Sequence, residues 1–200
     1  MSGWWLLALA SYALGTFPTA QIVGRLAGHD PTTEGSRNPG ATNVYRIAGR
    51  FPGATVLLGD VLKGLIPALV GLLVEDRALA VVCGGAAVVG HMFPIQRGLR
   101  GGKGVSTLGG MTWVLWPLVA AGGLVAWVAI VKITGRSSLG SIIGVPLLTL
   151  GVVLVGADGW EIAFMGGAAA VIVARHHSNI RRLFKGEEAA VTAPSAGTAA

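Results

Sequence analysis

Six apolar runs, at roughly residues 4–26, 51–74, 78–95, 106–131, 139–157 and 160–174, constrain what this chain can fold into. A helix needs about 20 apolar residues to cross the hydrocarbon of a bilayer, and the longer runs meet that length. Strand-like alternation is absent from them, so they read as helices. With 52% hydrophobic residues and only 12% charged ones, the balance is that of a multi-span membrane protein. Thirty-two glycines fit helices that must approach closely without a hydrophobic force between them. The first run lacks a basic leader and is expected to be a retained helix. Cys83 stands alone in an apolar run, which excludes an intramolecular disulfide and a cysteine metal site.

Charge orients the runs. All the Lys and Arg except Lys63 and Arg77 fall within 25–50, 97–103, 132–136 and 175–185. The connections near 75–77 and 157–161 are net acidic. The positive-inside rule assigns the four basic stretches to the cytoplasm. One simple crossing through 106–131 would strand Lys132 and Arg136 outside. That run is therefore expected to turn back at Trp116-Pro117 or Gly122-Gly123, as two helices of about a dozen residues each. The expectation is an all-α integral membrane protein of seven helical segments, some short, with the N-terminus outside and the C-terminus cytoplasmic. Residues 1–186 form one membrane-embedded domain, and 187–200 read as a disordered cytoplasmic tail. In such a protein the net charge of +6 reflects cytoplasmic loops and not nucleic-acid binding.

Three polar clusters interrupt the apolar pattern: "GSRNPGATNVYR" at 35–46, "LRGGKGVST" at 99–107 and "RHHSNIRR" at 175–182. Gly35 and Gly40 permit turns in which successive N–H groups converge on an anion. Ser36, Asn38, Thr42 and Asn43 add neutral polar groups, and Arg46 a planar fork suited to phosphate. In the second cluster Gly101, Gly102 and Gly104 surround Lys103, with a helix expected to open near Ser106 and favour anions at its N-terminus. It is not a nucleotide-binding P-loop, because Lys103 is followed by Gly104 and preceded by a helix. His176 and Asn179 are spaced to share one helix face. Convergence of the clusters suggests a phosphorylated substrate with an apolar tail. Asp60 and Lys63 lie i, i+3 within the second run, where each charge costs about 2.5–3.5 kcal/mol at mid-bilayer depth. Either they neutralise each other, or Asp60 positions Lys103 or Arg46. His91 is a possible supporting residue. His176 and His177 are consecutive on an expected helix and point apart, so no metal site is expected.

These motifs, together with "DVLKG" in the second run, "GHMFP" at 90–94 and "RHHSNIRRL" at 175–183, resemble the bacterial acyl-phosphate:glycerol-3-phosphate acyltransferases. The resemblance runs to about residue 187. It implies a seven-helix enzyme of the bacterial cytoplasmic membrane with its active site toward the cytoplasm. It also implies acyl transfer from acyl phosphate to the sn-1 hydroxyl of glycerol 3-phosphate, the first acylation of phospholipid synthesis, without a cofactor or metal. An upstream acyl-phosphate-forming enzyme is an expected partner. By resemblance, Ser36, Arg46, Lys103, His176 and Asn179 are the catalytic set. Gly35, Asn38, Gly40, Thr42, Asn43, Gly101, Gly102, Gly104 and Ser106 would bind substrate or phosphate. Arg37 stands where the family commonly has Gly, Ser178 where it has Glu, and Thr16 where it has Ser. An organic-phosphate transporter is the competing class. The short chain, with no evident internal repeat, argues against it.

Overall fold

The computed structural model describes residues 3–192. Among them are ten α-helices, and their contacts cluster into two compact units that meet in sequence between Leu115 and Trp116. The first unit contains α1 (Trp4–Gly15), α2 (Thr19–Leu26), α3 (Ala41–Ala48), α4 (Arg50–Val74), α5 (Arg77–Met92), a 3-10 turn (Ile95–Arg97) and α6 (Val105–Leu115). The second contains α7 (Pro117–Thr134), α8 (Ser137–Leu154), α9 (Gly159–Arg175) and α10 (His177–Phe184).

The breaks follow local chemistry. Pro18 cannot donate to the preceding turn and separates α1 from α2. Asp76 caps α5 by accepting from the Leu79 N–H at 2.9 Å. Trp116 lies outside the helical region (φ −141°, ψ 71°), which proline disfavours for the residue before it, and Pro117 opens α7. Gly135, at φ 70°, closes α7 in the left-handed conformation. Asp158 and Glu161 form a reciprocal capping box at the start of α9.

The expected reversal therefore lies at Trp116-Pro117 and not at Gly122-Gly123. The two pieces are unequal. α6 has 11 residues, about 16 Å, whereas α7 has 18, about 27 Å, and is long enough to cross. Five stretches are long and apolar enough to span: 4–26, 50–74, 77–97, 117–134 and 137–154. The seven expected segments thus become ten helices among the described residues. The first run splits at Pro18, α3 forms inside the first polar cluster, and α10 is separate from α9.

Small residues set the packing of the first unit. A Cβ on Gly64 would strike the Thr107 carbonyl, and one on Gly110 the Val61 carbonyl, so α4 and α6 meet backbone to backbone. Outward faces carry bare apolar side chains, among them Leu57, Leu58 and Leu73 on α4. On α7 only Ala120 is buried, and Leu118, Leu124 and Val125 are exposed, a surface suited to lipid.

The expected tail lies partly outside the described residues. Its described portion, 187–192, is packed in the second unit, where the Val191 N–H donates to the Gly135 carbonyl at 2.8 Å and Glu188 is buried.

Candidate active site

The first polar loop is organised by its own side chains. Asn43, buried on α3, accepts from the Ser36 N–H at 2.9 Å and donates to the carbonyls of Pro31 (3.0 Å) and Glu34 (3.1 Å). Gly35, at φ 58°, lies where any side chain would collide with the Asn43 amide. The Asn43 side chain therefore holds the loop's shape and presents Ser36, which is exposed. Arg37 follows at φ 58°, a conformation that disfavours a side chain. Gly40 caps α3 in extended backbone and donates to the Asn38 carbonyl at 2.9 Å. Thr42 and Arg46 project from that helix, each half-buried.

Two carboxylates brace the loop's entry. The Thr32 hydroxyl, then the Thr32 N–H and Arg25, hold the Asp30 carboxyl below its ordinary range. The Asp30 N–H, then His29 at 2.7 Å, do the same for Glu34. Because both are lowered on folding, they favour the folded loop above the ordinary carboxylate range. That contribution is lost as pH falls through the lowered values.

The second loop is tied to the end of α5. The Gly101 N–H donates to Met92 (3.2 Å) and the Gly102 N–H to His91 (3.1 Å). These two donors, expected to converge on an anion, are thus engaged within the chain. A Cβ on Gly102 would strike the His91 ring, so this glycine permits close approach. Gly104, at φ 86°, turns the chain into α6, whose first turn carries Ser106, and its carbonyl accepts from Leu108 at 2.8 Å. Lys103 is half-buried between the glycines.

Beneath these loops lies a buried ionic cluster. Lys63 Nζ donates to Asp60 Oδ1 at 2.6 Å, and His91 Nδ1 lies 3.6 Å from the same oxygen. The Lys63–Asp60 ion pair is the mutual neutralisation that the sequence offered as one role for Asp60. Arg97, which the sequence offered only as a topology signal, donates to Gln21 Oε1 (2.7 Å) and to the Thr16 carbonyl (2.8 Å). Its Nε is buried without a hydrogen-bond partner. Gln21, Asp60, Lys63, His91 and Arg97 line a small open cleft that Pro39 of the first loop and Gly102 of the second also border. The two glycine-bearing clusters, 60 residues apart in sequence, therefore meet at one cationic cleft. Gln21, a polar residue within the first apolar run, was the available clue to its wall.

In the second unit, His176 is the junction between α9 and α10 and not a residue on a helix face. Its Nδ1 donates to the Ile172 carbonyl at 2.8 Å, the backbone partner that fixes this tautomer. Asn179 is buried on α10 and donates to Glu188 at 2.7 Å. No group of three or more His, Cys, Asp or Glu able to hold a metal occurs among the described residues.

The model of a family described as glycerol-3-phosphate acyltransferase matches residues 5–186. A glycerol-3-phosphate acyltransferase of Pseudomonas fluorescens (strain Pf0-1) is 42% identical over 189 residues, covering 92% of this chain and 97% of the relative. One from Thioalkalivibrio sulfidiphilus (strain HL-EbGR7) is 42% identical over 185 residues, covering 91% of each. Among solved structures, the glycerol 3-phosphate form of PlsY (YgiH), an integral membrane glycerol 3-phosphate acyltransferase, superposes with a TM-score of 0.90. It is 34% identical and covers 94% of this chain and 96% of its own. Its lysophosphatidic acid form gives 0.87 at 32% identity, covering 94% and 95%. Sequence and fold agree across almost the whole described length, and the chain belongs to the glycerol-3-phosphate acyltransferase family typified by PlsY.

Proposed function

We propose that the chain transfers a fatty acyl group from acyl phosphate to the sn-1 hydroxyl of glycerol 3-phosphate, releasing lysophosphatidic acid and inorganic phosphate. The observation that carries this reading is the similarity, over 94% of the chain, to a PlsY solved in a glycerol 3-phosphate form. The acceptor oxygen bonds to the acyl carbon, the carbon–oxygen bond to the donor phosphate breaks, and the hydroxyl proton passes to His176 or to a donor phosphate oxygen. The donor is already activated, so the protein's task is positioning and charge neutralisation. Arg46 and Lys103 offset the repulsion between two phosphates, with Lys63 and Arg97 contributing positive potential to the cleft. Ser36, His176 and Asn179 bond phosphate oxygens or the acceptor. The four basic stretches support a site facing the cytoplasm in a bacterial inner membrane.

The test is phosphate release from palmitoyl phosphate by purified protein in lipid, with and without glycerol 3-phosphate. Release that depends on the acceptor and yields lysophosphatidic acid is expected. In Arg46→Ala it falls by about 100-fold or more, the scale expected when a charged group is lost from a preorganised site. Folded protein that shows no acceptor-dependent release overturns the reading.

A further inference from the structure

The small cleft of the first unit gathers donors that the chain leaves unused. Arg97 makes two side-chain bonds, both to neutral oxygens: Nη1 to Gln21 Oε1 at 2.7 Å and Nη2 to the Thr16 carbonyl at 2.8 Å. Its Nε is buried with no partner, which is costly for any N–H and more so for a charged one. Lys63 is only 5% exposed, and its bond to Asp60 engages one of its three N–H groups. The first turn of α2, Thr19, Ala20 and Gln21, also lines the cleft. Pro18 breaks the helical run there, and the Ala20 and Gln21 N–H groups have no backbone acceptor among the described residues. Asp60 is the one carboxylate in the lining and is cancelled by Lys63, so Arg97 leaves the cleft net positive.

We propose that this cleft seats a phosphoryl group, with Arg97 and Lys63 as its charged ligands; the proposal deepens the function given above and rests on it for the source of the group. The donors come from three elements: a guanidinium beside the 3-10 turn, an ammonium on α4 and the first turn of α2. A tetrahedral oxyanion offers acceptors in several directions at once, whereas a carboxylate has two oxygens in one plane. A helix N-terminus adds partial positive charge of the same sign. A neutral hydroxyl or carbonyl would leave the Arg97 charge uncompensated, and an acyl tail does not suit so polar a lining. Asp60 would repel an anion if it stood alone. Its Oδ1 instead accepts from Lys63 and lies 3.6 Å from His91 Nδ1, which offsets that repulsion. The cleft is small, so it takes the oxyanion head and leaves the rest of the molecule outside, where Pro39 and Gly102 border it. Acyl phosphate, glycerol 3-phosphate and released phosphate all carry such a head.

The test titrates inorganic phosphate into the full-length protein in lipid nanodiscs, comparing wild type with Arg97→Gln, Arg97→Lys and Gln96→Ala. Gln96 Nε2 donates to the same Thr16 carbonyl at 3.3 Å but does not line the cleft, so its loss reports the structural tie alone. Arg97→Gln weakens phosphate binding by about ten- to a hundredfold, the scale of a hydrogen bond to a charged group. Arg97→Lys keeps the charge without the planar fork and loses less. Gln96→Ala stays within about twofold of wild type, less than the loss of one such bond. In wild type, where no variant need fold, the Arg97 Nε–H resonance shifts when phosphate is added. An unmoved resonance, or unchanged phosphate affinity in folded Arg97→Gln, overturns the seat. An equal loss in Gln96→Ala overturns it too, because the tie and not the donor would then matter. Turnover identifies the source. In Arg97→Gln the KM rises for palmitoyl phosphate if the donor's phosphate sits there, and for glycerol 3-phosphate if the acceptor's does. Lost phosphate binding with both KM values unchanged assigns the seat to released phosphate. A wild type that binds phosphate through Arg97 but shows no acceptor-dependent turnover overturns the function and leaves the seat standing.

Discussion

Arg37 shows how a single backbone angle can be tested apart from a charge. At φ 58° a side chain costs roughly 1 kcal/mol that glycine avoids. Glycine also has more freedom to lose on folding, which offsets part of that gain. Comparing Arg37→Gly with Arg37→Ala removes the charge from both and leaves only the Cβ. We expect the Gly variant to be the more stable by about 0.5 kcal/mol, or roughly 1–2 °C in Tm for a chain of this size, by thermal unfolding in detergent. Equal melting temperatures would mean that the loop relaxes around the side chain. The sequence marked Arg37 as a departure from the family's usual glycine, so the strained position was legible. The work of Asn43 was not. Its three bonds reach Pro31, Glu34 and Ser36, and nothing in the order of residues says that an amide will point inward to organise a loop instead of outward to a phosphate.

At the level of elements, the break at Trp116-Pro117 was readable as one of two candidates, because a ring without an N–H acts locally, whereas the break at Pro18 inside the first run was not anticipated. α3 was not readable, since eight mixed residues inside a polar cluster form a helix only through burial of Val44 and Ile47. Which face of a glycine-rich helix is the contact face is equally invisible from composition. Gly109 and Gly110 are adjacent on α6, yet only Gly110 abuts α4, with the Val61 carbonyl in the place a Cβ would take; Gly109 faces open space. Gly110→Ala should therefore force the two helices apart and destabilise by about 1–3 kcal/mol. Gly109→Ala should be neutral or stabilising by up to about 1 kcal/mol through helix propensity. Denaturant unfolding in mixed micelles separates the two, and indistinguishable midpoints would contradict a backbone-to-backbone α4–α6 contact.

Over the whole molecule, two facts about α6 and α7 sharpen the question of which side each connection occupies. The sequence called for a reversal between residues 106 and 131 so that all four basic stretches could share a side, and a break does occur there. But α7 is long enough to cross alone, while α6, at about 16 Å, covers only half of a hydrocarbon core of about 30 Å. If charge governs, α6 enters from the cytoplasmic side without completing a crossing, and α7 returns the chain so that Lys132 and Arg136 rejoin 25–50 and 97–103. If length governs, α7 completes a crossing and places Arg136 opposite them. Single cysteines in a Cys83→Ala background decide between the two. With a membrane-impermeant maleimide on oriented vesicles, Thr33→Cys, Ile133→Cys and Glu187→Cys should label from one side, and Glu75→Cys and Ala157→Cys from the other. Moving Lys132 and Arg136 across the hydrocarbon would require the positive-inside bias to be overridden in a short loop, where it is strongest. Labelling of Ile133→Cys from the side opposite Thr33→Cys would show that override, and would remove the reason for placing the third polar cluster on the same face as the first two.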